Sequence, residues 1–308
     1  MTINGNLSLS EAFEGFIASR YAKGVCDKTI ESYQNQFRSI SHHFDIDRQI
    51  GKICQDDIDA MIVSMRRNGN LSGETIRTYT RCLRTFFNWL DGRGILMPKI
   101  KLYRATESYK APYTDDELIR LLAPPAEDCS FCELRDWTII NFLVNSGCRA
   151  GTVRSIYIDD LHLDEKVVFF RHTKNGQIQM MPICNAMVTV FRRYLSVRRG
   201  TPSSILFPSA RDGAPLTEDA LRHAIVRFSH SRGVQKTSIH LFRHTFAKKF
   251  LLDCQGDAFT LQYLLGHKTL AMTRHYCNLY NADVVHRFEQ LCPLNSLKKT
   301  DTGQGLLL

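Results

Sequence analysis

Residues 240–280 read HLFRHTFAKKFLLDCQGDAFTLQYLLGHKTLAMTRHYCNLY. This short span holds His240, Arg243, His267 and Tyr276. The set suits a phosphate-handling site: a fixed guanidinium, two imidazoles and a phenol. Arg243 can clamp a phosphate through two parallel hydrogen bonds and never loses its charge. An imidazole donates to a phosphoryl oxygen or moves a proton near neutral pH. A phenol is a weak nucleophile at its free pKa, yet it forms a covalent intermediate when cations crowd its target. His240 and Arg243 lie three residues apart, which puts them on one face of a helix. The apolar run Leu261, Tyr263, Leu264, Leu265 predicts a second helix, with Gly266 as its end. His267 is then expected at an outward-facing turn, before a further helix opens at Lys268 or Thr269 and carries Tyr276.

The pattern HxxR, then LGH, then a tyrosine nine residues beyond that histidine resembles the tyrosine recombinase (phage integrase) family. The resemblance covers about residues 8–290 and is strongest over 141–280. Gly147 followed by Arg149 resembles the block that presents the family's first catalytic arginine, a role the resemblance carries to Arg149. Cys148 stands where the family usually has Leu, and Thr152 where it usually has Glu or Asp. The β-rich runs 167–172 and 177–183 flank Asn175-Gly176, a two-residue hairpin signal of type I′. Lys174 sits at that tip, matching the family's hairpin lysine, the general acid to the leaving 5′ oxygen.

The rest of the chain gives the frame. Its 308 residues suggest two domains, and 44% apolar with 23% charged residues describes a folded protein with a core. The net charge of +9 favours a polyanionic partner. No secretory signal and no apolar run long enough for a bilayer is found, which points to the cytoplasm and to no membrane partner. The ten cysteines sit singly, except for Cys129 and Cys132. Without a second ligand pair, no metal site is expected.

From the N-terminus, Ser8-x-x-Glu11 reads as a capping box. Phe13, Phe16, Ile17 and Tyr21 mark an inward helix face. A second helix follows from about Lys28 (Ile30, Tyr33, Phe37, Ile40), a third over Ile58, Met61, Ile62 and Met65, and a fourth from Ser72. On the fourth, Arg77, Arg81 and Arg84 fall at i, i+4 and i+7, a cationic stripe suited to a DNA backbone. Three arginines alone would equally make a solvated helix face. Residues 94–112, with two prolines and no helical period, read as an exposed linker. Thr114-x-x-Glu117 is another capping box, and apolar helices follow over 134–144, 186–198 and 217–233. A helix 282–291 carrying Val284, Val285, Phe288 and Leu291 is expected to pack either on its own domain or on a neighbouring protomer.

The fold class expected is mainly α with a small β-hairpin or sheet. An N-terminal helical bundle (1–95), a linker (96–112), an α+β catalytic domain (113–293) and a polar tail (294–308) would together clamp DNA. The resemblance implies a site-specific recombinase for integration, excision or dimer resolution, as on mobile elements. Tyr276 would form a 3′-phosphotyrosyl link, Arg149, Arg243 and His267 would hold the phosphate, His240 would assist, and Lys174 would protonate the leaving group. It implies no cofactor, double-stranded DNA with inverted-repeat core sites as partner, and a homotetramer on synapsed DNA. No arm-binding domain is expected ahead of Ser8. The alternatives are a type IB topoisomerase-like DNA relaxing enzyme and a non-catalytic DNA-binding regulator.

Overall fold

The computed structural model describes residues 5–67, 70–105, 111–171, 176, 178–198, 204–254 and 256–273. The chain divides into two compact units, residues 1–109 and 110–308.

The first unit holds four α-helices: α1 (Leu9–Ala22), α2 (Asp27–Ile40), α3 (Gln55–Arg67) and α4 (Gly73–Asp91). Ser8 and Glu11 form the reciprocal capping box at the start of α1, which satisfies two amides the helix cannot bond itself. Ser72 caps α4 through the Thr75 amide. The core is aromatic: Phe13 stacks on Phe37 with centroids 3.8 Å apart, and Phe86 meets Phe13 edge-on at 5.2 Å. Burying each such ring contributes roughly 1.5–3 kcal/mol. Tyr21 departs from the expected inward face and is exposed. It lies in the last turn of α1, beyond the helices that cover Phe13 and Phe16. With the apolar side of α4 committed to the core, Arg81 and Arg84 stand exposed while Arg77 is half-buried, 3.6 Å from Glu74.

The expected exposed linker needs correction at its first half. Met97 and Ile100 are buried in the core of the first unit, with Tyr103 packed against it. The Met97 amide donates to Asp91 Oδ1 (2.8 Å), and the Tyr103 amide to Thr80 Oγ1 (3.4 Å). Apolar residues spaced three apart gain more by joining a core than by staying in water, whatever the prolines around them.

The second unit is built on α6 (Phe131–Ser146), whose buried residues run almost all the way round. Such a helix must be enclosed. It packs against α5 (Asp115–Leu122), α8 (Asn185–Arg198), α9 (Glu218–Ser231) and α10 (Ile239–Leu252). Two of its buried residues are charged. Arg135 donates twice to Asp136 Oδ1 (3.0 and 2.8 Å) and once to the Pro208 carbonyl (2.9 Å). Pairing of this kind is what allows charges inside, and nothing in the sequence pattern announced it.

A three-stranded antiparallel sheet, β1 (Leu161–His162), β2 (Val167–Phe170) and β3 (Gln179–Pro182), lies beside these helices in the order β1-β2-β3. Val168, Phe170 and Met181 face the core. Among the described residues, the pair nearest the connection is Phe170 with Gln179. The expected two-residue turn involves Asn175, which lies outside the described residues. Gly176 does take the left-handed conformation (φ 72°) that the motif predicted. Next to the Phe170–Gln179 pair, Arg171 and Ile178 are both exposed. Lys174 lies outside the described residues. No helix among the described residues is long and apolar enough to cross a membrane.

Candidate active site

The site begins where α6 ends. Gly147 terminates α6 in the left-handed region (φ 57°, ψ 20°). A Cβ there would sit 2.6 Å from the Phe246 ring, so glycine is required both by conformation and by space. The reversal turns the Gly147 carbonyl towards α10 and makes Arg149 the N-cap of α7 (Ala150–Arg154). Replacing Gly147 with Ala is expected to destabilise the fold by about 1–3 kcal/mol through strain and overpacking. A fall of several degrees in Tm checks this, and an unchanged Tm would contradict it.

Helix α10 carries His240 in its first turn and Arg243 one turn on, as the spacing predicts. Arg243 is buried. Its Nη1 donates to the Gly147 carbonyl (3.1 Å), while Nη2 donates to the Leu265 carbonyl (2.8 Å) and lies 2.7 Å from His267 Nε2. Five donors in a rigid fork make this possible, and lysine has no equivalent. His240 is exposed, and the Ser238 side chain does not cap this helix. Helix N-termini carry partial positive charge that favours an anion.

Helix α11 (Ala258–Leu265) ends at Gly266 in the left-handed conformation (φ 61°). The Gly266 amide donates to the Tyr263 carbonyl and the His267 amide to that of Gln262, both at 3.0 Å. This is the Schellman arrangement. It sends His267 inward, which corrects the outward turn expected from sequence: His267 is buried. Its Nδ1 lies 2.8 Å from Thr273 Oγ1. A guanidinium has no lone pair to offer, so Nε2 must accept from Arg243 and the neutral ring carries its proton on Nδ1. The chain re-enters helix at Leu270. Tyr276 and the expected helix 282–291 lie outside the described residues.

Burial, followed by the Arg243 and then the Arg149 charge, lowers the His267 pKa from its ordinary value to about 4. The imidazole is therefore neutral at physiological pH. Below the ordinary histidine range the unfolded chain binds a proton that the folded chain refuses. Stability from this group is thus present above about pH 6.5 and is lost as pH falls towards about 4. Exchanging His267 for Gln is expected to flatten that part of the stability profile in chemical denaturation. A slope identical to that of the parent would contradict it.

The structure thus joins Arg243 and His267, starts α7 at Arg149 two residues beyond the Gly147 turn, and presents His240 from the helix that carries Arg243. Arg77, Arg81 and Arg84 belong to the other unit. Thr273 and the Gly147 carbonyl were not recognised in the sequence as part of the site. Thr273, six residues beyond His267, becomes visible only once the helix end turns the ring inward. Chemically, guanidinium groups and a neutral imidazole are the group types that stabilise charge on phosphoryl oxygens. Among the described residues no group of three His, Cys, Asp or Glu is placed to hold a metal ion.

Comparison with known proteins follows this geometry. The phage integrase family pattern matches residues 113–283, and the phage integrase N-terminal SAM-like domain matches 16–94. The tyrosine recombinase XerC of Alcanivorax borkumensis is 28% identical over 254 residues, 80% of this chain and 81% of that protein. The tyrosine recombinase XerA of Saccharolobus solfataricus is 25% identical over 299 residues, 94% and 95% of the two chains. In fold, the chain is similar to the Tn1549 transposon integrase solved with transposon right end DNA (TM-score 0.77, 17% identity, 92% of this chain and 99% of that one). It is also similar to a lambda integrase tetramer bound to a Holliday junction (TM-score 0.70, 16% identity, 89% and 78%).

Proposed function

This chain belongs to the phage integrase family of tyrosine-type site-specific DNA recombinases, and we propose that it cleaves and rejoins DNA through a 3′-phosphotyrosyl link on Tyr276. The observation that carries the reading is the buried Arg243 fork, which joins the Gly147 turn, the end of α11 and His267. In the forward step the Tyr276 phenolate oxygen bonds to the scissile phosphorus and the bond to the 5′ oxygen breaks. Lys174 delivers the proton that the departing oxygen takes up. Arg149 and Arg243 offset charge growing on the non-bridging oxygens, with His267 and His240 completing the phosphate contacts. The 5′-hydroxyl of a partner strand then attacks the link in reverse. Energy stays in the phosphotyrosine, so the cycle needs no nucleotide. The partner is double-stranded DNA with inverted-repeat core sites, engaged by residues 1–95, with chemistry in 113–293 and four copies on two duplexes.

A nicked suicide substrate tests this directly, because the cleaved end diffuses away and traps the covalent adduct. Absence of any adduct on cognate DNA would overturn the reading. A two-site exchange assay beside plasmid relaxation then separates recombination from simple relaxation.

The α4 stripe carries its own prediction. Arg81 and Arg84 are exposed on the face opposite the first core. The double variant R81A/R84A is expected to bind DNA more weakly, about uniformly across sequences, with the salt slope of log K reduced by about 2. Titrations at several ionic strengths check this. An unchanged slope would mean that the stripe is only a solvated face.

A further inference from the structure

We infer that Gln179 is a positioning residue that holds the Gly266–His267 turn from the side of the sheet. The inference rests on the reading above in so far as His267 belongs to the phosphate site.

Three consecutive carbonyls close α11, and side chains from two other elements reach them. Gln179 Nε2 donates to those of Tyr263 and Leu264, both at 2.8 Å. Arg243 takes the third, Leu265. Two N–H groups on one amide nitrogen match two adjacent carbonyls, so the Gln179 donors are fully used. The fit is steric as well. A Cβ on Gly266 would lie 2.7 Å from Gln179 Oε1, so the glutamine occupies the space the glycine leaves open. Gln179 is also the last paired residue of β3, opposite Phe170. Strand β3, helix α10 and the turn are thereby tied around one imidazole.

The consequence concerns the ring more than the helix. The Schellman bonds already satisfy the Tyr263 carbonyl, so α11 keeps an end without Gln179. On the sheet side, Gln179 ties the turn through the Tyr263 and Leu264 carbonyls. Without Gln179 the turn can lean away from α10, admit water and lengthen the contact between Nε2 and the guanidinium. Both changes favour protonation of His267 and weaken its place at the phosphate.

The test uses the full chain with Gln179→Met, which keeps length and neutrality but has no N–H. The His267 ring proton is followed by NMR from pH 4.5 to 8 and assigned by its loss in His267→Gln. In the parent it should barely move. In Gln179→Met its midpoint should rise by about one unit towards the ordinary imidazole value, and adduct formation on the nicked substrate should slow roughly tenfold. If Gln179→Met does not fold, Gln179→Asn, too short to reach both carbonyls, should give the same two changes to a smaller degree. An unmoved imidazole, or an adduct rate within about twofold of the parent, would reduce Gln179 to a helix cap and overturn the role. If His267→Ala leaves adduct formation intact while the Gln179 variant still shifts the imidazole, the positioning stands. The assignment of His267 to the phosphate site then fails.

Discussion

Replacing Tyr276 with Phe is expected to abolish the covalent protein–DNA adduct and every recombinant product, leaving DNA affinity within about twofold. The expectation is total because the proposed step gives the attacking oxygen to Tyr276 alone. Removal of one oxygen leaves arginines that still hold the phosphate but nothing to attack it, so only uncatalysed hydrolysis remains. Tyr280 is the nearby rival phenol, four residues further on. Tyr276 stands nine positions after His267, the offset of the family pattern. Tyr280→Phe is accordingly expected to keep the adduct. Denaturing gels of a labelled nicked substrate read both variants. An adduct that survives in Tyr276→Phe and vanishes in Tyr280→Phe would move the nucleophile to Tyr280.

The second large effect belongs to Arg243. Its exchange for Lys preserves charge but not the fork. One ammonium cannot reach Gly147, Leu265 and His267 together. Adduct formation is expected to slow by roughly 10²–10³, the usual result of losing one well-placed donor to a developing oxyanion. Each buried carbonyl left without a partner costs about 1–3 kcal/mol, so a lower Tm should accompany the loss. Arg149→Lys separates the two contributions. Arg149 is only half-buried, so its variant should lose rate with little loss of Tm. Should Arg243→Lys melt lower yet cleave at the parental rate, its role would be purely architectural.

Local chemistry wrote much of this fold into the sequence. Ser8, Ser72 and Thr114 each announce a helix start because a cap is settled within three residues. Gly147 and Gly266 announce helix ends for the same reason. The HxxR spacing survives because α10 is a regular helix. Features that depend on distant partners were not legible. Whether His267 faces in or out is decided by Arg243, on another helix and 24 residues earlier in the chain. Met97 and Ile100 join a core assembled by residues far upstream. The Asn175-Gly176 signal survives at Gly176, whose backbone is left-handed because the preference is local. Gln179 and Thr273 carry no motif, since each acts through bonds to places the sequence does not name.

Arg243 spans 96 positions to Gly147 and 22 to Leu265. Contacts that distant in sequence close late, after the loop entropy has been met by other packing. A nascent chain still missing α10 has no guanidinium at the Gly147 turn, and one missing α11 has no imidazole for it to hold. Incomplete translation products thus carry the α4 arginines before the Arg243–His267 pair can exist.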